Sequence, residues 1–373
     1  MLKDFNYIVV GAGISGATIA ERIANELKKP VLVIEKRDHI GGNCYDYYDR
    51  HGVLVPKYGP HFFHTNSEKV FKYVSKFTKW RKYEHRVLAL VKGRFVPVPV
   101  NINTVNILFN ENIKNSKQMQ NWLKKEQLKI KNPKNSEEVA LSRVGRRLYE
   151  MIFKNYTYKQ WEKYPKDLGP EVLSRIPVRD NFDDRYFSDK YQVMPDPSYT
   201  NIFQHMLKSR YIKVLLKTDY LKIKDKLNPK TKIFFTGPID QFFHYSEGEA
   251  LEYRSMKFVH QNIKVKQFQM SAVVNYPEKQ FPWTRITEQK HATGQKIDST
   301  TIIYEYSSST GEPYYPIPDE RNKKLYAKYQ KLAEKFEKKG VYFLGRLANY
   351  KYFNMDQAFE NALNFFESKK KLF

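Results

Sequence analysis

The stretch Tyr7-Ile-Val-Val-Gly11-Ala-Gly13-Ile-Ser-Gly16, followed by Val31-Leu-Val-Ile-Glu35, decides the fold of the N-terminal region. An apolar β-branched run enters a G-x-G-x-x-G turn. A helix-forming segment over 14–28 follows, Pro30 breaks it, and a second buried strand ends on an acid. This is a βαβ unit. Gly11 allows the tight turn, Gly13 lets backbone N–H groups approach a pyrophosphate, and Gly16 lets the helix pack on the strand. The helix start at Ile14 and Ser15 faces the anion, and Glu35, followed by Lys36, can take a ribose hydroxyl. Six residues beyond Glu35 comes a second glycine pair, Gly41-Gly42-Asn43, typical of chains that pass close to a flavin pyrophosphate. FAD is therefore favoured over NAD. No second G-x-G-x-x-G marks an NADPH domain.

Working outward, a helix is expected from about residue 66 and a β-like segment over 86–100. Residues 101–165 read as charged helices interrupted at Pro133, with Leu141, Val144, Leu148 and Ile152 on one face. Residues 166–200, rich in Pro, Asp, Arg and Tyr, read as a long functional loop. Short strands over 250–306 predict an antiparallel sheet. A charged helix (319–339), the strand Val341–Leu344, Gly345 and a last helix (355–367) repeat the nucleotide-binding pattern at the C-terminus. The expected fold is α/β: a Rossmann-like FAD domain (1–80, 200–245, 318–373), a mainly helical domain (101–185) with a lid at 166–185, and an antiparallel-sheet substrate domain (81–100, 186–199, 246–317).

The 373 residues carry 65 Lys+Arg against 40 Asp+Glu, a net charge of +25. The lysines are scattered and accompany no recognition motif, which argues against nucleic acid and for solvated faces. Lys369 to Phe373 reads as a fraying terminus. Cys44 is the single cysteine, so no internal disulfide forms and a reducing cytoplasm is expected. There is no run of about 18 apolar residues to cross a membrane. The glycines at 11, 13 and 16, with only Lys3 before them, are not those of a signal peptide.

Arg, Tyr and Trp cluster in several short stretches: Asn155–Trp161, Arg175–Arg179, Asp183–Phe187, Leu251–Arg254, Trp283–Glu288, Pro313–Pro316 and Gly345–Tyr352. No nucleophile triad, carboxylate pair or metal-spaced set competes with them; His61-Phe-Phe-His64 lacks further ligands. Arginines clamp phosphates bidentately and Tyr or Trp stacks on base or sugar, so a sugar nucleotide fits best.

These motifs, with Gly59-Pro-His61-Phe-Phe-His64-Thr, Thr236-Gly-Pro-Ile-Asp240 and Arg285 to Lys290, resemble the UDP-galactopyranose mutases from Tyr7 to about residue 360. The resemblance implies an isomerase that interconverts UDP-galactopyranose and UDP-galactofuranose through a covalent adduct between reduced flavin N5 and the anomeric carbon. It also implies a cytoplasmic homodimer serving galactofuranose and cell-surface glycan synthesis. Mutases for N-acetylated or deoxy nucleotide sugars, and amine-oxidase-type flavin oxidoreductases, stay open.

By motif, the resemblance assigns Arg175 and Arg285 to the diphosphate, with Arg175 on the lid and the hydroxyls of Tyr186, Tyr315 and Tyr352 beside them. Phe153, Tyr156, Trp161 and Asn275 would line the uridine and sugar pocket. His61, His64, Gly237, Arg346 and Met355 would lie along the flavin. Tyr253 and Arg254 are open between substrate contact and bracing of the sheet. Two departures stand out. Asn354 occupies a position near the sugar where the family often has Asp. Met194–Tyr199, expected at the exit of the lid, lacks the usual glycine before Tyr199.

Overall fold

The computed structural model describes residues 4–373; Lys3 lies outside them. Five parallel strands form the central sheet in the order Ile212–Leu215, Val31–Ile34, Tyr7–Val10, Lys232–Phe235 and Val341–Phe343. Period-2 alternation covers both faces. Val9, Val31, Val33 and Phe234 pack under the helices Ile14–Glu26 and Met355–Lys369. Ile8, Leu32, Ile34 and Phe235 meet Tyr220 and Leu227 on the other side. The last strand and helix thus complete the sheet begun more than 300 residues earlier.

The second sheet has seven strands, in the order Tyr315–Pro316, Tyr253–Ile263, Thr300–Ser308, Arg285–Glu288, Val273–Asn275, Val87–Val91 and Arg94–Val98. Its pairs are antiparallel except Val273–Asn275 against Val87–Val91, which run parallel. The helices Ile102–Phe109, Ser116–Glu126 and Ser136–Leu148 pack on this sheet through one core, in which Leu141, Val144, Leu148 and Ile152 are all buried.

Two expectations change. Within 166–200 the chain builds a short helix, Glu171–Ser174, and a strand, Tyr191–Asp196. That strand is the centre of a three-stranded sheet between Phe63–Thr65 and Lys79–Lys82, and does not join the seven-stranded sheet. Met194 enters the same core as the nucleotide-binding helix, and Ser198 caps the next helix by accepting from Asn201 N–H. Met194, Pro195, Ser198 and Tyr199 are therefore buried in packed structure, with Asp196 and Pro197 exposed between them. The C-terminus is also tied down. Tyr7 donates its hydroxyl to the Phe373 carbonyl at 2.9 Å, Phe373 packs on Phe234 and Tyr342, and Lys370 pairs with Glu26 at 2.8 Å.

Among the described residues no helix is long and apolar enough to cross a membrane.

Candidate active site

At the carboxyl ends of the parallel strands lies a cleft of about 300 Å³. Gly11 sits at φ +101°, and a Cβ there would meet Thr236 Oγ1 at 2.2 Å. Gly16 lies beneath the cleft, with space for no side chain: an added Cβ would be 1.9 Å from the Gly11 carbonyl oxygen. Gly13 and Gly42 face each other, the second at φ +56° with its notional Cβ 2.8 Å from Gly13 Cα. Gly41 N–H donates to the Ala12 carbonyl at 2.9 Å and locks the two glycine loops together. Bare backbone converging from two loops onto a helix start is a cradle for a diphosphate. The Glu35 carboxylate is fixed by the N–H groups of Ala12 (2.8 Å) and Arg37 (2.9 Å), an acceptor placed for ribose hydroxyls. The residues present thus fit a dinucleotide.

Ile14, Ser15, Lys36, Asn43, His61, Gly237, Arg346 and Met355 line the same cleft, as do Tyr314 of the Pro313–Pro316 stretch and Arg37, Thr218 and Glu312, which carried no local motif. Glu312 reaches across to Lys36 at 2.8 Å.

The second half of the site begins at Arg346. Its guanidinium lies 5.3 Å from the ring centre of Tyr315 and 5.4 Å from that of Tyr352, and these two rings stack at 5.6 Å. Arg175, just after its short helix, also lies over the Tyr352 ring, 4.5 Å from its centre. Burial works to raise the Tyr352 hydroxyl, but Arg175, Arg346 and Arg285 prevail and hold it below the ordinary tyrosine value. Arg285 Nε donates to Glu305 Oε2 at 2.7 Å, and Glu305 is completely buried. Tyr156 donates to Asn275 Oδ1 at 3.4 Å, and burial pushes its own hydroxyl up to about 12. Tyr186 is held by its N–H on the His85 carbonyl at 2.7 Å. Burial, with Arg346 second, pushes His61 down to about 4; burial, then Arg285, keeps His85 well below the usual histidine range.

Several assigned residues are engaged with neighbours of their own. Phe153 and Trp161 are buried, 7% exposed each, in a core against which Tyr186 and Tyr315 also pack. Asn354 is the N-cap of the last helix, where its N–H donates to Gln357 Oε1 at 3.0 Å. Next to it, Asp356 has a buried Oδ1 with no partner, and burial raises its carboxyl. His64 stands beside the cluster, bonded to Asp189 at 3.0 Å and stacked on Phe187 at 3.6 Å. Arg254 braces the sheet: 2% exposed, it pairs with Glu162 at 2.9 Å and bonds Ser307 and the Gln160 carbonyl. Among the described residues no group of His, Cys, Asp or Glu could hold a metal ion.

Comparison with known proteins bears directly on this geometry. A family model described as UDP-galactopyranose mutase matches residues 151–352, the span that holds Arg175, Tyr186, Arg285, Tyr315 and Tyr352. A probable UDP-galactopyranose mutase of Klebsiella pneumoniae is 38% identical over 97% of this chain and 94% of its own. The chain belongs to the UDP-galactopyranose mutase family. A model of NAD(P)-binding Rossmann-like domains matches residues 9–77, in agreement with a dinucleotide cofactor in the cleft. The dTDP-fucopyranose mutase of Escherichia coli is 36% identical over 95% of this chain and 96% of its own. In fold, the chain matches a crystal structure of reduced UDP-galactopyranose mutase with TM-score 0.75 at 16% identity, covering 99% of this chain and 96% of that one. Membership makes the protein an isomerase of nucleotide sugars, with the α/β fold expected from its glycine motif.

Proposed function

We propose that the protein interconverts UDP-galactopyranose and UDP-galactofuranose, with FAD as its dinucleotide and the reduced flavin as the working form. One observation carries this reading. Three guanidinium groups, Arg175, Arg285 and Arg346, meet with three tyrosines beside the dinucleotide cleft, and among the described residues only Arg285 has a carboxylate partner. The uncompensated positive charge suits a diphosphate.

Reduced flavin supplies a nucleophilic nitrogen for the anomeric carbon. Arg285, aimed by Glu305, and Arg175 hold the diphosphate as it departs and keep it for recapture. The hydroxyls of Tyr186, Tyr315 and Tyr352 donate to its oxygens. Asn275, oriented by Tyr156, addresses the sugar, and Arg175 with residues 166–185 closes over the substrate and excludes water. Arg346 and the uncharged ring of His61 stand between the two halves of the site. His64, positioned by Asp189, borders them.

The residues divide, in this reading, into a nucleotide-binding unit, a helical unit with the lid, and a sheet unit, with 191–196 transferred to the first. A cytoplasmic homodimer is the assembly we assign to it.

The test is chromatographic: reduced and oxidised protein are each incubated with UDP-galactofuranose and the pyranose is followed. Conversion in the reduced sample alone supports the reading; conversion in neither overturns the substrate. The similarity to the dTDP-fucopyranose mutase gives the runner-up, a deoxy sugar on another nucleotide. Asn354 in place of a charged neighbour bears on the same choice. Running dTDP-fucofuranose beside UDP-galactofuranose separates the two.

A further inference from the structure

Between the strands Tyr253–Ile263 and Val273–Asn275, residues 264–270 hold Val265, Phe268 and Met270 in solvent, 38%, 44% and 64% exposed. Nowhere else among the described residues do three large exposed apolar side chains fall within six positions. Exposed Lys264 and Lys266 interleave with them.

A slack loop would turn such side chains inward, but buried polar groups hold this one open. Glu288, 1% exposed, accepts the N–H groups of Phe268 (3.0 Å) and Gln269 (2.9 Å) and the hydroxyl of Thr300 (2.7 Å), and its Oε2 lies 3.0 Å from His291 Nε2. Gln269 points inward and donates its amide to the carbonyls of Ser271 (2.7 Å) and Ile286 (3.2 Å). The Lys290 ammonium bonds the carbonyls of Lys266 and Ser299, 3.0 Å each, and that of Ile297. With the backbone fixed this way, Phe268 and Met270 are displayed, and a cluster of displayed apolar side chains marks an interface.

We propose that residues 264–270 dock the protein on an anionic lipid surface. Phe268 and Met270 enter the boundary beneath the head groups, and Lys264 and Lys266 engage lipid phosphates. Interleaved lysine and large apolar side chains suit that boundary. The ion pair of Lys266 with Asp298 is 3.6 Å long between side chains 84% and 90% exposed, so it is screened and exchanges readily for lipid phosphate. The net charge of +25 attracts the chain to a negative surface from a distance. The loop lies at the end of its strands away from the Asn275–Arg285 pair, where Glu288 N–H meets the Ala272 carbonyl. Docking there leaves the nucleotide-sugar site apart from the bilayer.

The experiment is sedimentation of the full chain with vesicles of phosphatidylcholine containing phosphatidylglycerol, and with phosphatidylcholine alone. The expected result is binding to the anionic vesicles, weakened about 30-fold or more by Lys264→Glu with Lys266→Glu. A similar loss is expected for Phe268→Ser with Met270→Ser, with melting temperature and mutase turnover in solution unchanged in both variants. Absence of binding to anionic vesicles overturns the proposal. So does retention undiminished in both variants. Conversion of a dimer to a monomer by either pair, with vesicle retention unaltered, also overturns it and assigns the loop to a second copy.

Discussion

Glu305 Oε2 lies 2.7 Å from Arg285 Nε, and the two residues are direct partners across neighbouring antiparallel strands. The second oxygen of Glu305 accepts the Thr287 hydroxyl at 2.8 Å, so the carboxylate is immobile and fixes the direction of the guanidinium. Burial works to lower the Arg285 pKa, but Glu305 more than offsets this and the arginine stays charged. Glu305→Gln keeps the volume and removes that anchor. We expect kcat/KM to fall about 10- to 100-fold, the worth of one charged hydrogen bond. Glu305→Ala should also lower stability by about 3 kcal/mol in urea unfolding, because Arg285 loses its partner. Unchanged kinetics in the Gln variant would remove Arg285 from the diphosphate clamp.

Gly16 and Gly13 make opposite demands on the same turn. A methyl at Gly16 strikes the Gly11 backbone, which cannot yield, so Gly16→Ala should fail to give folded protein. A methyl at Gly13 meets Gly42 Cα at 3.5 Å, an ordinary contact, and obstructs only the approach of the diphosphate. Gly13→Ala should therefore fold, melt near the parent's flavin-free form, and show little flavin absorbance after purification. If Gly13→Ala keeps stoichiometric flavin, the cradle is not where the pyrophosphate sits.

The nucleotide-binding half was legible because its signals are local. Glycine spacing, strand parity and the acid at Glu35 lie within about 30 residues, and the cleft gathers Gly11, Gly13, Gly42 and Glu35 as that spacing requires. The rest depends on partners distant in sequence. Pro195 and Pro197 argue locally for a loop, yet Trp80 and Phe63, over 100 residues earlier, supply the strands that hold residues 191–196. Aromatic side chains in a motif look alike whether they stack on a ligand or fill a core, and Phe153 and Trp161 lie in a core that Tyr186 and Tyr315 also border. Glu305 does leave a local trace, a charge inside the apolar strand Thr300–Ser308, but only the strand register reveals Arg285 as its partner.

Arg175 faces the Tyr352 ring at 4.5 Å and has no carboxylate partner among the described residues. Its charge is therefore available to the substrate. Arg175→Lys preserves charge but loses the planar fork that grips two oxygens and stacks on the ring. We expect Arg175→Ala to lower kcat/KM about 100-fold or more and Arg175→Lys to recover only part of that. FAD content should be unchanged in both. The Tyr352 hydroxyl should also titrate at higher pH in Arg175→Ala, measured as phenolate absorbance against a Tyr352→Phe reference, because the nearest cation lowering it is gone. A titration that does not move would show that the two side chains do not meet in solution.

His61 and His85 give the fold a sign in its acid response. Burial, then nearby arginines, keeps both rings neutral in the folded protein, His61 down to about 4 and His85 well below its ordinary value. In the unfolded chain they bind protons near pH 6.5. Between about pH 6.5 and pH 4 the unfolded state therefore holds more protons, and stability falls as the pH falls. Each neutral histidine contributes a slope of up to about 1.4 kcal/mol per pH unit in that window. Urea unfolding of the flavin-free protein at several pH values should show this decline, and His61→Gln should remove one proton's share of it below pH 6. An identical pH slope in His61→Gln and the parent would mean that the ring takes up its proton in the folded state, and the neutral His61 beside Arg346 would have to be abandoned.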